Sequence, residues 1–233
     1  MNIIFTNLSS FIQEAEEKGC ITRTFRRLDL EKQQTIILAI LDEAAENGPA
    51  DVNIKQVASR SNVAVGSLYQ YFGSRDNLLE FTLELVVSQT VALFESYTAE
   101  LASIPLREGL TAYLGGGIEW GQEQLSIVRL FGQAAYQNTP GLNEKVVRPI
   151  ATALTGMMRA ILLAARERGE IRPEVDLEAA TRLLNTLMIA LGDAVLFPNL
   201  NEYYQLHDVT MSRERILNCF FDFLENGFFV RGN

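Results

Sequence analysis

The sequence is poor in cysteine, histidine and tryptophan. Its 233 residues include two cysteines, one histidine and one tryptophan. Cys20 and Cys219 do not form a paired zinc-ligand motif, and we interpret them as two reduced thiols. His207 lies in a polar stretch without neighbouring ligand residues, and any Ser-His-Asp or Cys-His catalysis would depend on it alone. We therefore expect no enzyme activity, no metal and no cofactor.

Long apolar runs and a basic leader are also missing. No uninterrupted apolar run approaches the roughly 20 residues that a membrane-spanning helix requires, and we expect no membrane partner. Residues 1–19 carry Glu14, Glu16 and Glu17 instead of the basic start of a secretory signal. Because 48% of the residues are hydrophobic, we expect a folded protein, located in the cytoplasm.

Positive charge is scarce overall, but its distribution is uneven. The net charge is −9, which by itself argues against a nucleic-acid partner. Residues 23–75, however, hold seven basic and six acidic side chains, whereas the rest of the chain holds 13 and 23. The acidity thus belongs to the rest of the chain. Net negative charge outside residues 23–75 lowers the affinity for non-specific DNA, because attraction to phosphates supplies most of that affinity.

The spacing of apolar residues predicts helices nearly everywhere and no strand. Residues 2–18 form an amphipathic helix that docks on its own chain or on a second subunit, unless it frays as termini often do. Gly115–Gly117 interrupts a helical stretch, which indicates a kink or close helix packing, or else a flexible wall beside a ligand. After Pro105 we expect helices at about 106–123, 125–137, 142–168, 176–197 and 212–229.

Two short helices joined by a tight turn are predicted between residues 53 and 71. Asn53 is a good N-cap for the first of them. Asn62 is one of the few non-glycine residues that tolerate the left-handed backbone of a tight turn. The second helix covers about residues 64–71. Such a pair is a helix-turn-helix, whose second helix lies in the major groove of DNA.

The flanking helices are marked by their ends. A helix over residues 29–47 stops at Gly48, and Pro49 directly follows. Ser74 caps a long helix that starts near Arg75. The helix-turn-helix is therefore framed by two longer helices.

The outward face of the second short helix carries side chains suited to reading DNA. Leu68 and Phe72 are expected to pack inward. Gly66 lets the backbone approach DNA closely, Gln70 can pair with adenine, and Val65 can contact a thymine methyl group. The predicted base-reading residues are Val65, Gly66, Ser67, Tyr69, Gln70 and Tyr71.

Over about residues 32–80 the sequence resembles the Tet repressor family of bacterial regulators. The matching residues are Ala58, Val63, Gly66, Leu68, Tyr69, Tyr71, Phe72, Ser74 and Leu78, with Arg75 at the usual lysine. The departures are Asn53 for threonine, Asn62 for the turn glycine, Ala64 for serine and Ala44 for phenylalanine. None of these changes removes the motif, since asparagine still caps a helix and still forms the turn.

The resemblance implies an all-α fold: an N-terminal three-helix helix-turn-helix domain joined by a long helix to an all-helical C-terminal ligand-binding and dimerisation domain. We expect an N-terminal extension at residues 1–22, the DNA-binding domain at 23–75 and the C-terminal domain at 76–233. The predicted phosphate contacts are Asn53, Lys55, Arg75, Arg26 and Arg27, with Arg23 nearby. The alternative for the three arginines before residue 28 is a solvated face.

The last two helices are expected to form a homodimer interface, because operators read by such proteins are usually two-fold. The alternative is that both helices fill the core of a single chain. The candidate interface residues are Leu184, Leu187, Met188, Leu191, Val195, Ile216, Leu217, Phe220, Phe221 and Leu224.

A pocket for a small hydrophobic or aromatic effector is expected between the middle helices. Aromatic and methionine side chains line most such sites, but they also build most helical cores. The candidates are Phe94, Tyr97, Tyr113, Trp120, Phe131, Tyr136, Met157, Met158 and Asn185, with Glu119 and Arg129 as further polar candidates.

Together these expectations define a ligand-responsive DNA-binding transcription regulator, a repressor released from its operator by its effector. The effector favours one arrangement of the middle helices, and the long helix then moves the two reading helices out of register with the grooves. The alternative is a helical adaptor or small-molecule-binding protein without DNA binding.

Overall fold

The structure is a computed structural model that describes residue 5 and residues 8–136, 141–208 and 210–227. Residues 2–4, 6 and 7 of the expected N-terminal helix lie outside the described residues. Within the described ranges the chain is all helical, apart from an isolated bridge between Asp208 and Met211. The helices are α1 (Leu8–Glu17), α2 (Arg23–Arg26), α3 (Leu30–Asn47), α4 (Ile54–Arg60), α5 (Val65–Phe72), α6 (Arg75–Ser103), α7 (Leu106–Glu123), α8 (Leu125–Tyr136), α9 (Arg148–Glu167), α10 (Leu177–Leu196), α11 (Pro198–Tyr204) and α12 (Arg213–Gly227).

Local capping explains where these helices begin and end. The Asn53 side chain accepts a hydrogen bond from Lys55 N at 3.0 Å, and Ser74 Oγ accepts one from Asn77 N at 3.1 Å. Gly48 ends α3 with φ +88°, a conformation that glycine adopts without steric cost. These caps are confirmed, because each depends only on residues close together in the chain.

Two short helices escape the sequence analysis. α11 begins directly at Pro198, where a proline lacks an amide hydrogen that the first turn of a helix leaves unbonded anyway. We interpreted the same proline only as the end of the preceding helix. α2 has a single turn, which is too short to show an apolar period.

The chain divides into two compact units. The first consists of residues 1–93 and 126–150. It contains a cluster of three fully buried rings, Phe25, Phe72 and Phe81, with centroids 4.8–5.8 Å apart. Phe11 of α1 packs 5.6 Å from Phe81. Residues 8–17 therefore form a helix that docks on its own chain, as expected, and the alternative of a frayed tail does not hold for them.

The second unit consists of residues 94–125 and 151–233. Its core is built from aliphatic and methionine side chains of α7, α9 and α10, together with Phe221 and Leu224 of α12. α6 contributes to both units, since residues 75–93 belong to the first and residues 94–103 to the second. The expected functional boundaries at residues 22 and 75 stay predictions.

The run Gly115–Gly117 does not interrupt its helix. α7 is continuous through it, all three glycines are exposed, and no described atom lies within 4 Å of a Cβ built at any of them. The expected close packing at this run is therefore wrong. Close packing occurs at isolated glycines instead: a Cβ on Gly109 would lie 2.8 Å from the carbonyl oxygen of Leu101.

Three helical segments have the length and mean hydropathy of membrane-spanning helices: residues 75–103, 143–167 and 177–196. We expected no segment of this kind, because we considered only uninterrupted apolar runs. A helix with interspersed polar residues can reach the same mean hydropathy, so that expectation is corrected. Between 28% and 44% of each segment's most apolar window is buried inside the chain. Part of this apolar surface thus packs against other helices of the protein.

Candidate nucleic-acid interface

α4 and α5 form a helix-turn-helix. Val57 and Leu68 are buried on the inner sides of the two helices, and α4 packs against α3. The turn between them passes through Asn62, whose φ of +50° is the left-handed conformation expected for this position. Phe72 is also buried, as expected from its lack of a polar group. The outer side of α5 is thereby left to face solvent.

The predicted base-reading residues lie on this outer side to different degrees. Gly66, Tyr69 and Gln70 are exposed, and Tyr69 exposes 48% of its surface. No described atom lies within 4 Å of a Cβ built on Gly66, so the backbone there is open to a partner. Val65, Ser67 and Tyr71 are half-buried. The ring of Tyr71 lies 5.9 Å from that of Phe25, which attaches it to the aromatic cluster.

The turn is held by a lysine that the sequence analysis did not single out. Lys32 of α3 donates from Nζ to the carbonyl oxygens of Ser61 at 2.8 Å and Asn62 at 3.1 Å. A cation at this position also interacts favourably with the negative end of the α4 dipole. Because Lys32 and Ser61 are 29 residues apart, no local pattern reveals this contact.

A buried carboxylate holds the start of α4 against α3. Glu43 Oε1 accepts hydrogen bonds from Asn47 Nδ2 at 2.9 Å and from the backbone N of Asn53 at 3.3 Å. Its Oε2 lies 3.2 Å from Nη2 of Arg60, which also pairs with Glu46. Glu43 therefore positions the N-cap residue of α4, a role that the sequence alone did not indicate.

The two predicted phosphate contacts Lys55 and Arg75 differ in availability. Lys55 is exposed near the start of α4. Arg75 donates from Nε to the carbonyl oxygen of Val52 at 3.0 Å, and from Nη2 to those of Pro49 at 3.4 Å and Ala50. Its guanidinium group is thus occupied by the loop that precedes α4.

The arginines of α2 and its C-cap are also not equivalent. Arg26 pairs through Nε with the carboxylate of Glu16 in α1. Arg23 and Arg27 are exposed beside it. The ion pair fastens α1 to α2 and leaves Arg23 and Arg27 as the arginines more accessible to a phosphate.

The effector-binding candidates are divided between the two units. Seven of them belong to the second unit, where Phe94 and Tyr113 border the core, Met157 and Met158 lie within it, and Tyr97 is largely exposed. The remaining two candidates, Phe131 and Tyr136, belong to the first unit. The exposed fraction of Tyr136 is 62%. The structure therefore does not gather all nine residues in one unit, and the further candidates Glu119 and Arg129 are exposed.

Four side chains give the second unit its candidate recognition chemistry. The rings of Phe94 and Trp120 lie 6.1 Å apart. Burial raises the pKa of the Tyr113 hydroxyl to about 12, so this group is neutral near pH 7 and able to donate a hydrogen bond. Asn185 donates from Nδ2 to Thr155 Oγ1 at 3.5 Å, while its buried Oδ1 accepts no hydrogen bond from the described residues.

The ten candidate dimer residues fall into two groups. Five are buried in the core of the second unit and stabilise the single chain: Leu184, Met188, Leu191, Phe221 and Leu224. The other five are half-buried: Leu187, Val195, Ile216, Leu217 and Phe220. The most exposed apolar side chains of α10 and α12 are three that we did not select, Leu183, Ile189 and Phe223.

The geometry of α3–α5 agrees with the sequence match of this segment to a known family. Residues 36–81 match the family model described as bacterial regulatory proteins, tetR family. The helix-turn-helix segment of this chain is therefore similar to the tetR family. This confirms the resemblance inferred from the residues of the turn and of α5.

Two curated relatives are similar to this chain over longer stretches of sequence. An HTH-type transcriptional regulator of Staphylococcus aureus (strain MRSA252) is 32% identical over 92 residues, which is 38% of this chain. The match spans about half of that relative's length, 48%. The fatty acid metabolism regulator protein of Bacillus subtilis (strain 168) is 24% identical over 153 residues, 66% of this chain and 77% of that protein.

In fold, the likeness to solved structures extends over most of the chain. A TetR family transcriptional regulator from Chloroflexus aurantiacus superposes with a TM-score of 0.65 at 24% sequence identity. The superposition covers 91% of this chain and 99% of the other. At this level of identity the likeness shows the fold alone, over the part of the chain that superposes.

Proposed function

We propose that this protein is a homodimeric, cytoplasmic repressor that binds operator DNA through α5 and is released by a small hydrophobic effector bound in the second unit. The outer face of α5 carries the proposal. Gly66, Tyr69 and Gln70 are exposed there, while Leu68 and Phe72 of the same helix are buried. A single helix of this kind fits the major groove, which is about 12 Å wide.

The chemistry of this face suits direct reading of bases. Gln70 presents an amide that can form two hydrogen bonds to adenine. Tyr69 presents a hydroxyl that can donate to a base or a phosphate. Gly66 adds no side chain, so the start of α5 can approach the DNA closely. These three residues share the open side of the helix, which is the arrangement that base recognition requires.

The first experiment is selection of bound duplexes from a random DNA library by the wild-type protein. A dimer should enrich two matching half-sites in opposite orientation, with centres about 34 Å apart or a multiple of that distance. Leu183, Ile189 and Phe223 expose apolar surface on the two C-terminal helices, which supports the dimer. Failure to enrich any sequence contradicts specific DNA binding, and a single asymmetric half-site contradicts the dimer.

The dependence of affinity on salt distinguishes a phosphate contact from a structural arginine. Each phosphate contact adds about 0.9 to the slope of log affinity against log salt concentration. We expect Lys55→Gln to lower the slope by about 0.9 per subunit. Arg75→Gln should weaken operator binding with an unchanged slope, because its guanidinium group holds the loop before α4. The measurement is a titration of the selected operator at four or more salt concentrations.

Arg75→Lys is the matched variant for this experiment. It keeps the positive charge but cannot donate to three carbonyl groups in the fork geometry of arginine. We expect it to lose nearly as much affinity as Arg75→Gln. A slope lowered in Arg75→Gln and restored in Arg75→Lys would instead assign Arg75 to a phosphate.

The second unit supports an effector with an apolar body and one polar group. Its core is aliphatic and rich in methionine, which suits a flexible apolar ligand. The buried Oδ1 of Asn185 accepts no hydrogen bond within the part of the chain that the structure describes, and such acceptors are uncommon in native cores. One similar protein is a fatty acid metabolism regulator, so we propose a fatty-acid-like effector.

The single tryptophan provides a direct test of the effector. Trp120 lies in the second unit, so titration with medium- and long-chain fatty acids should change its fluorescence and release the operator over the same concentration range. Asn185→Leu should weaken this binding, whereas Asn199→Ala, at an exposed asparagine of α11, should not. Saturable binding without a change in DNA affinity would contradict the effector role. Absence of binding would contradict a fatty acid as the class of effector.

A further inference from the structure

The residue immediately before α2 is bonded to the last turn of α5. Thr22 Oγ1 donates a hydrogen bond to the carbonyl oxygen of Gln70 at 2.7 Å. The backbone N of Thr22 donates to the carbonyl oxygen of Tyr71 at 2.8 Å. One of these acceptors, Gln70, faces the DNA in the proposed function, and the other, Tyr71, is its neighbour at the end of α5.

These bonds complete the end of a very short helix. The last four carbonyl groups of any helix lack partners within it. In α5, which has eight residues, the Tyr69 carbonyl is used by the amide of Gly73 at 2.8 Å. Thr22 supplies the donors for the next two carbonyl groups. The C-terminal half of α5 is therefore fixed from outside the helix-turn-helix.

Thr22 is itself held by contacts on both sides of α2. The ring of Phe25 packs against Phe72 at 4.8 Å. Gln33 of α3, which is buried, donates from Nε2 to the carbonyl oxygens of Phe25 at 3.1 Å and Arg26 at 3.2 Å. α2 is thus joined to α3 at its end and to α5 at its start.

The N-terminal helix stabilises α2 in turn. Glu16 of α1 pairs with Arg26 of α2, and Lys18 pairs with Glu84 of α6 at 3.0 Å. Leu8, Ile12 and Ala15 bury the inner face of α1. Residues 8–26 therefore form a continuous support that ends at the recognition helix.

From these contacts we infer that Thr22 is a positioning residue for DNA recognition, and that residues 8–26 belong functionally to the reading head. This inference rests on the proposed function of α5. Thr22 touches no base; it fixes the direction in which Tyr69 and Gln70 project. Loss of its hydroxyl group removes the donor to the Gln70 carbonyl group, while the backbone bond to Tyr71 and the core beneath stay intact.

The test compares Thr22→Val, Thr22→Ser and Thr24→Val in the full-length protein. Thr24 is an exposed threonine within α2, two residues after Thr22, and serves as the matched control. Affinity is measured for the operator selected by the wild-type protein and for an unrelated duplex of equal length. We expect Thr22→Val to lose about three- to tenfold in operator affinity, the range for one neutral hydrogen bond. Unrelated DNA should bind as before, because phosphate attraction is unchanged.

Thr22→Ser should recover most of the operator affinity, since it restores the hydroxyl donor, and Thr24→Val should resemble the wild type. Equal affinity of Thr22→Val and wild type for the operator overturns the inference. An equal loss of affinity for both duplexes also overturns it, because it indicates general destabilisation. A Thr22→Ser variant that does not recover operator affinity overturns it as well. If the wild type itself does not prefer the selected operator, the proposed function fails, and this result is distinct from the failure of Thr22.

Discussion

The double variant Tyr69→Ala, Gln70→Ala is expected to lose at least about thirtyfold in affinity for the selected operator, since each good base contact contributes about 1–3 kcal/mol. Both side chains are exposed on α5, so their loss removes contacts to DNA without opening a cavity in the protein. Alanine also has the highest helix propensity, and α5 should remain folded. Competition binding with operator and unrelated duplexes measures the effect.

The control for this variant is Gln122→Ala, which removes an exposed glutamine side chain from α7 in the second unit. It should bind the operator like the wild type. We expect the affinity of the double variant for unrelated DNA to change less than about threefold, because non-specific binding depends on phosphate contacts. Unchanged operator affinity in the double variant would show that α5 is not the reading helix.

The second large effect is expected for Phe81→Ala, with a loss of about 3–5 kcal/mol in the free energy of unfolding of the first unit. Phe81 is fully buried and its ring contacts those of Phe11, Phe25 and Phe72. Truncation leaves a cavity where the Phe81 ring meets the rings of α1, α2 and the recognition helix α5. The destabilisation should therefore loosen α1 and weaken operator binding as well.

Urea denaturation of Phe81→Ala and Phe81→Leu separates the cavity from other effects. Leucine fills most of the space, so its loss should be less than half that of alanine. Circular dichroism follows helices of both units, whereas the fluorescence of Trp120 follows the second. An alanine variant that unfolds at the same urea concentration as the wild type, by circular dichroism, would exclude the aromatic cluster as the main support of α5.

Much of the helix-turn-helix could be predicted because its determinants are local. The apolar spacing of α3, the asparagine N-cap at residue 53 and the glycine at residue 48 each act within one or two helical turns. The left-handed conformation of Asn62 follows from its own side chain and its place in the turn. Such interactions connect residues that are neighbours in the sequence, so the pattern of residues displays them.

The sequence could not show which side chains would meet across the fold. Arg75 has the same local surroundings whether it binds a phosphate or the carbonyl groups of residues 49–52, and only the packing of α6 beside that loop decides between them. On α10 and α12 the spacing of apolar residues identified side chains that can be buried. It did not show whether the same chain or a second subunit buries them. Leu184 and Met188 proved to belong to the core of the second unit, while Leu183 remained exposed.

By itself, then, the sequence determined an all-helical chain, the position of its helix-turn-helix and the exposure of Gly66, Tyr69 and Gln70 on α5. The tertiary structure decided that α1 docks on its own chain, that Glu43 and Lys32 hold α4, and that Thr22 bonds to α5. The physical reason is the range of the interactions. Caps and helical periods act over a few residues, whereas Thr22 and Gln70 are 48 residues apart in the sequence and meet only in the folded chain.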